Sequence, residues 1–350
     1  MFEDLRHGAA LAALIRAEGR AALLRSGARS GLFAALREWT RADALAAAHG
    51  LDAQLCAAWL AALEAHGLVE RRGDELRIAG LARWLVDGAY ADAACASLEQ
   101  SAYAYAPVLS HLPELMQGAP RPQWGARADA LRTARASRLS ERRAIAALHR
   151  IPGAKKARRI LDIGCGEGHF LARILARHRD ALGTGVEIDA SVADRAQEAL
   201  DAAHVQRRAE IRAGDFFAVE LPHAFDLALL NNNLHYFDEA RWPSLFARIA
   251  DHLAPGGLVA IQTPLLAEGA VARLLGVCAT LATFDLFLRA HDNLAPLPDV
   301  ARLDAALHAA GFADVGYEPI LPGGALRFVW ARKGAASAEP ARAARPQLAK

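Results

Sequence analysis

The segment Arg159-Ile160-Leu161-Asp162-Ile163-Gly164-Cys165-Gly166-Glu167-Gly168-His169-Phe170 sets one acid and three glycines between an apolar run and an amphipathic stretch. The run predicts a buried strand, the glycines a turn, and Phe170 and Ile174 on one face the helix that follows. Glycines let a backbone approach a ligand closely, and an acid at a strand end binds an amine or a hydroxyl. Nineteen residues beyond Gly168, Glu187 ends the next apolar run in Gly185-Val186-Glu187-Ile188-Asp189, where a carboxylate can take both hydroxyls of a ribose. The turn reads Gly-x-Gly-x-Gly with an acid two residues ahead of it, which departs from the dinucleotide fingerprint. Asp162 would repel a pyrophosphate and suits the ammonium of a methionine moiety.

These residues need a sheet to hold them. From Arg158 onward, short apolar runs alternate with helical stretches, the signature of a parallel sheet with crossover helices. The expected strands are Arg159–Ile163, Gly183–Ile188, Ala209–Ala213, Leu227–Leu230 and Leu258–Gln262, with Val315–Ile320 and Leu326–Arg332 as a closing antiparallel hairpin, seven in all. Residues 335–350 are Ala/Pro/Arg-rich without periodicity and are expected to be disordered.

Ahead of the sheet, residues 31–88 read as three helices and a hairpin. Asp43 to His49 is ended by Gly50, Asp52 caps a third helix, and Leu55, Trp59, Ala62 and Leu63 recur at helical spacing as a stripe to be buried. Leu68–Arg71 and Glu75–Ile78 flank Arg72-Gly73-Asp74 as two short strands. Such a winged helix often binds DNA, yet its third helix, Asp52 to His66, has no Lys or Arg to meet phosphates, which favours dimerisation or packing. Residues 96–155 form a helical connector broken at Gly118-Ala119-Pro120-Arg121-Pro122, with Tyr103, Tyr105 and Trp124 read as core aromatics.

Taken together, the motifs and their order resemble the class I S-adenosylmethionine-dependent methyltransferases, in particular the small-molecule O-methyltransferases with an N-terminal winged-helix dimerisation domain, over residues 30 to 333. The resemblance implies an α/β fold, a Rossmann-like seven-stranded domain preceded by a helical winged-helix domain. It implies S-adenosyl-L-methionine as cofactor, with Asp162, Gly164, Cys165, Gly166 and Gly168 at the methionine end, Glu187 at the ribose, and Gly214-Asp215-Phe216-Phe217 beside the adenine. Asn231, at the end of the fourth strand, stands where that family has a Lys and belongs to the same set. The family's catalytic His, nine residues after the acid that opens the fourth strand, corresponds to His235, counted from Asp226. Its neighbours Tyr236-Phe237 replace an Asp-Trp pair. Thr263 stands where the family has a Glu orienting the base.

The expected function is methyl transfer to a small molecule, with an oxygen of a secondary-metabolite-like compound as acceptor. The incomplete dyad moves the expectation toward acidic acceptors such as an enol, a carboxylate or an activated phenol. C- or N-methylation, a non-methylating relative, and a cofactor-sensing winged-helix regulator are the other readings. His291-Asp292 is an alternative acid/base or metal pair, read first as exposed loop residues. Lys and Arg number 41 against 39 Asp and Glu, which gives no push toward nucleic acid or an anionic membrane. Met1-Phe2-Glu3-Asp4 is acidic where a secretory signal is basic, and no long uncharged stretch follows, so a cytoplasmic location is expected, and the apolar stripe of the N-terminal module predicts a homodimer. Cys56, Cys95, Cys165 and Cys278 lie far apart, without metal or disulfide spacing. The expected domains are 1–95 (winged helix), 96–155 (connector lining the acceptor pocket) and 156–334 (cofactor binding).

Overall fold

The computed structural model describes residues 2–125, 127–266 and 270–334; the tail 335–350 lies outside the described residues. The chain divides into two compact units, Met1–Ser110 with Gly125–Leu139, and His111–Trp124 with Ser140–Lys350. Residues 96–155 contribute to both.

In the first unit the strands β1 (Thr40–Arg41), β2 (Val69–Arg72) and β3 (Glu75–Ile78) form an antiparallel sheet in the order β1-β3-β2. Helices Ala42–His49 and Ala53–Ala65 precede the hairpin, and Asp52 caps the second by accepting from Leu55 N at 2.7 Å. The buried face of that helix is Cys56, Leu60 and Leu63. It is rotated from the expected stripe: Trp59 and Ala62 are half-buried and Leu55 is 71% exposed. Leu63 was placed correctly, while Leu55 loses its place because Phe33, Leu36, Leu45 and Leu76 converge on the adjacent side. A 28-residue helix, Phe2–Arg29, precedes this module. The sequence pattern did not single it out, although Glu3 and Asp4 in its first turn and Arg29 in its last complement the helix dipole.

The second unit is built on β4 (Arg159–Ile163), β5 (Leu182–Glu187), β6 (Ala209–Ala213), β7 (Phe225–Asn231), β8 (Leu253–Pro264), β9 (Phe312–Pro319) and β10 (Leu326–Lys333). Their order is β6-β5-β4-β7-β8-β10-β9, with β10 antiparallel to β8 and to β9 and the remaining four pairs parallel. All seven expected strands are present. β8 is longer than expected, because it begins at Leu253 and runs through Ala254-Pro255-Gly256-Gly257, where Gly256 is left-handed (φ 75°) and the register shifts against β7. Alternation splits the sheet between two cores. Ile160 and Leu229 face helix His169–Arg177 on one side, and Leu161, Ile163 and Leu230 face helices Trp242–His252 and Val300–Ala309 on the other. Strand order reverses at β4, and in open α/β sheets the crevice at such a point, beyond the carboxyl ends of the strands, is where ligands bind.

Candidate active site

Asp162 sits next to the end of β4 and is 1% exposed. Its Oδ1 accepts a hydrogen bond from Asn231 Nδ2 at 3.1 Å, across the β4–β7 pairing. Its Oδ2 and the Oδ1 of Asn231 have no hydrogen-bond partner among the described residues. Burying a carboxylate this way is costly, so the charged form is disfavoured. Burial pushes the Asp162 carboxyl up to about 7; the Asn231 bond pulls it down, and the charge of Glu187 adds to the rise.

The turn after β4 carries left-handed backbone at Gly164 (φ 65°), Gly166 (φ 55°) and Gly168 (φ 71°). At Gly168 a Cβ would lie 3.0 Å from the backbone of Ala196, so the site requires glycine on both conformational and steric grounds. Cys165 N donates to Val186 O at 2.9 Å and Gly166 N donates to Glu187 Oε2 at 3.0 Å, which ties the turn to β5. Glu187 Oε1 accepts from Asp189 N at 3.1 Å, and its carbonyl accepts from Gly214 N at 2.8 Å. Asp162, the turn, Glu187 and Gly214 are therefore one connected set. Burial raises the Glu187 carboxyl, against the lowering by the backbone N–H bonds. Burial, with Asp162 and Glu187 beside it, raises the Cys165 thiol well above its ordinary value, which disfavours the thiolate.

Asp215 is exposed, with Oδ1 accepting from Phe217 N at 3.0 Å. Phe216 is buried in the core, its ring 5.3 Å from the Arg248 guanidinium, and Arg248 Nε donates to its carbonyl at 2.6 Å. Its ring is thus engaged with the protein interior.

His235 lies on a single helical turn, Leu234–Tyr236, just past β7. Its ring packs 4.5 Å from Tyr236 and edge-on to Phe284 at 6.1 Å, and Ala295 N donates to its carbonyl at 2.8 Å. Part of the residue remains accessible, yet burial of the ring lowers its pKa to about 4. Thr263 is buried, with its Oγ1 donating to Pro264 O at 3.3 Å. His291 is 4% exposed, which corrects the expectation of an exposed loop residue: Nδ1 lies 2.8 Å from Phe287 O, and the ring is packed by Trp124 and Phe287. Asp292 Oδ2 accepts from Gln123 Nε2 at 2.7 Å, so this pair secures the 122–124 segment. No group of three potential metal ligands occurs among the described residues.

One residue that the motifs passed over also belongs here. Asn233 Nδ2 donates to the carbonyls of Ile163 and Gly164 at 3.0 and 2.7 Å. The signal was present as three asparagines directly after a buried strand, since asparagine both enters left-handed backbone and bonds nearby carbonyls.

The strand order, the glycine turn after the central strand and the acid ending the next one are those of a Rossmann-like methyltransferase fold. Residues 160–257 match the family described as a methyltransferase domain, and the chain carries such a domain. Among curated proteins, a 3-hydroxy-5-methyl-1-naphthoate 3-O-methyltransferase of Streptomyces sahachiroi is 37% identical over 109 residues, 31% of each chain. A trans-aconitate 2-methyltransferase of Deinococcus radiodurans is 29% identical over 183 residues, 49% of this chain and 67% of that one. An O-methyltransferase family protein from Burkholderia thailandensis has the same fold, with a TM-score of 0.76 at 22% identity over 94% of this chain and 98% of its own. The match to the naphthoate enzyme thus spans about a third of that protein. Among the described residues no helix is long and apolar enough to cross a membrane.

Proposed function

We propose that this chain transfers a methyl group from S-adenosylmethionine to an oxygen of a small molecule of the secondary-metabolite kind. The observation that carries the reading is the buried pair Asp162 and Asn231, which holds two unpartnered acceptor oxygens beside a turn of left-handed glycines. Two such oxygens call for a cationic donor, and the ammonium of the cofactor's methionine end is one. Glu187 would take the ribose hydroxyls. Gly214 and Asp215, with the backbone of Phe216, would border the adenine, since the Phe216 ring is committed to the core.

When bound, the cofactor supplies an electrophilic methyl on a sulfonium. The chain's task is to hold the acceptor oxygen in line with it, an orientation effect of about 7–11 kcal/mol, against about 10²–10⁴-fold for a general base. His235 is the hydrogen-bond partner of the acceptor. Charging its imidazole at pH 7 against a pKa of about 4 costs about 4 kcal/mol, and no carboxylate at Thr263 offsets it. Acceptors that arrive ionised suit this site best.

The helix Phe2–Arg29 supports a homodimer. Leu5, Leu11, Leu14 and Ile15 are 58–68% exposed, and the last three share one face, which a second copy would cover. Calorimetry with S-adenosylmethionine on the wild type and Glu187→Ala tests the cofactor site. Equal affinity in the two proteins removes the ribose assignment.

A further inference from the structure

The three asparagines after β7 hold three different positions. Asn231 closes the strand and bonds Asp162. Asn232 turns the chain with φ 54°, a left-handed conformation that asparagine enters more readily than other non-glycine residues, and its N–H donates to Gln262 O of β8 at 2.8 Å. Asn231 and Asn233, on either side of this turn, both reach with their side chains toward β4 and the glycine turn that follows it. Tyr236 N then donates to Asn233 O at 3.1 Å, closing the helical turn that carries His235. At Gly164 an added Cβ would lie 2.4 Å from Asn233 Nδ2. The side chain therefore lies directly on the glycine backbone.

We propose that Asn233 is a positioning residue, a strut that fastens the Ile163 and Gly164 carbonyls to the His235 turn, so that one side chain sets the cofactor half and the acceptor half of the site together. The inference rests on the cofactor reading given above. Its chemistry is specific to an amide, whose NH₂ carries two donors for two carbonyls. An Asp of the same shape has no donor when ionised and turns two attractive contacts into repulsion. Ser retains one shorter donor.

The test compares wild type, Asn233→Asp and Asn233→Ser by calorimetry with S-adenosylhomocysteine and by hydrogen exchange with and without that ligand. In wild type, the ligand should slow exchange at residues 164–168 and also at 234–237. In Asn233→Asp, affinity should fall about 10- to 100-fold, the range of two lost hydrogen bonds. At saturating ligand the slowing should persist at 164–168 and vanish at 234–237, an effect that a general loss of stability would not produce. Asn233→Ser should fall between and serves in place of the Asp variant if that protein does not fold. Unchanged affinity, or ligand protection still reaching 234–237 in both variants, overturns the proposal. If wild type binds no S-adenosylhomocysteine, the cofactor reading has failed and the strut is judged without ligand. Faster exchange at both segments together then supports it, and unchanged exchange overturns it.

Discussion

Asp162 offers a perturbation whose size follows from its surroundings. Burial holds its carboxyl at about 7, so near neutral pH the ligand-free site is a mixture of acid and carboxylate. A cationic ammonium binds only the carboxylate, so cofactor affinity should follow the ionised fraction. With a pKa of about 7, that fraction is about 3% at pH 5.5 and about 75% at pH 7.5, so affinity should rise about 25-fold between them. Burial also raises the Glu187 carboxyl. Binding at pH 5.5 should release close to one proton from Asp162, which calorimetry in two buffers of different ionisation enthalpy counts. The sign for stability is opposite. A raised carboxyl binds protons more tightly in the folded state, so it adds stability at low pH that is lost as pH rises from about 3.8 to about 7. About three pH units amount to at most about 4 kcal/mol, so Asp162→Asn should melt several degrees above wild type at pH 7.5 and near it at pH 4. The same variant should bind the cofactor at least tenfold more weakly, having lost a charge-assisted contact. Affinity that is flat from pH 5.5 to 7.5 with no proton release would refute the reasoning.

His235→Ala should reduce turnover while leaving cofactor affinity nearly unchanged, and any rising limb it governs in wild type should lie near pH 4; a limb near 6.5 that disappears in the variant would show a much better solvated ring than this one. Gly168→Ala should cost about 1–3 kcal/mol, read as a melting point lower by about 2–10 °C, because the new Cβ meets Ala196 in a left-handed conformation. The double variant Leu11→Glu, Ile15→Glu should be monomeric by light scattering at a concentration where wild type is dimeric, and a wild type monomeric at tens of micromolar (about the range for a standard interface) removes the dimer.

What the sequence by itself determined was whatever local physics controls. Short apolar runs between helical stretches marked the seven strands, most clearly the central β4 and β7, which are buried along nearly their whole length, and the glycines at 164, 166 and 168 announced a turn that takes left-handed backbone. The places of Asp162 and Glu187 were legible because a carboxylate at the end of a buried strand interrupts an apolar run and so stands out in the sequence. Tertiary structure decided the rest. Whether Leu55 or Cys56 faced inward depended on which side Phe33 and Leu45 approached, and composition does not encode that. His291 read as a loop residue because its polarity is a local property, whereas its burial is made by Trp124 and Phe287, the former far away in the chain. His235 was in the expected place, but the shift of its pKa to about 4 comes from desolvation by neighbours that no spacing rule supplies. Asn233 was hidden for the same reason: its two acceptors lie about seventy residues earlier, and only the pairing of β4 with β7 brings them within reach of one amide.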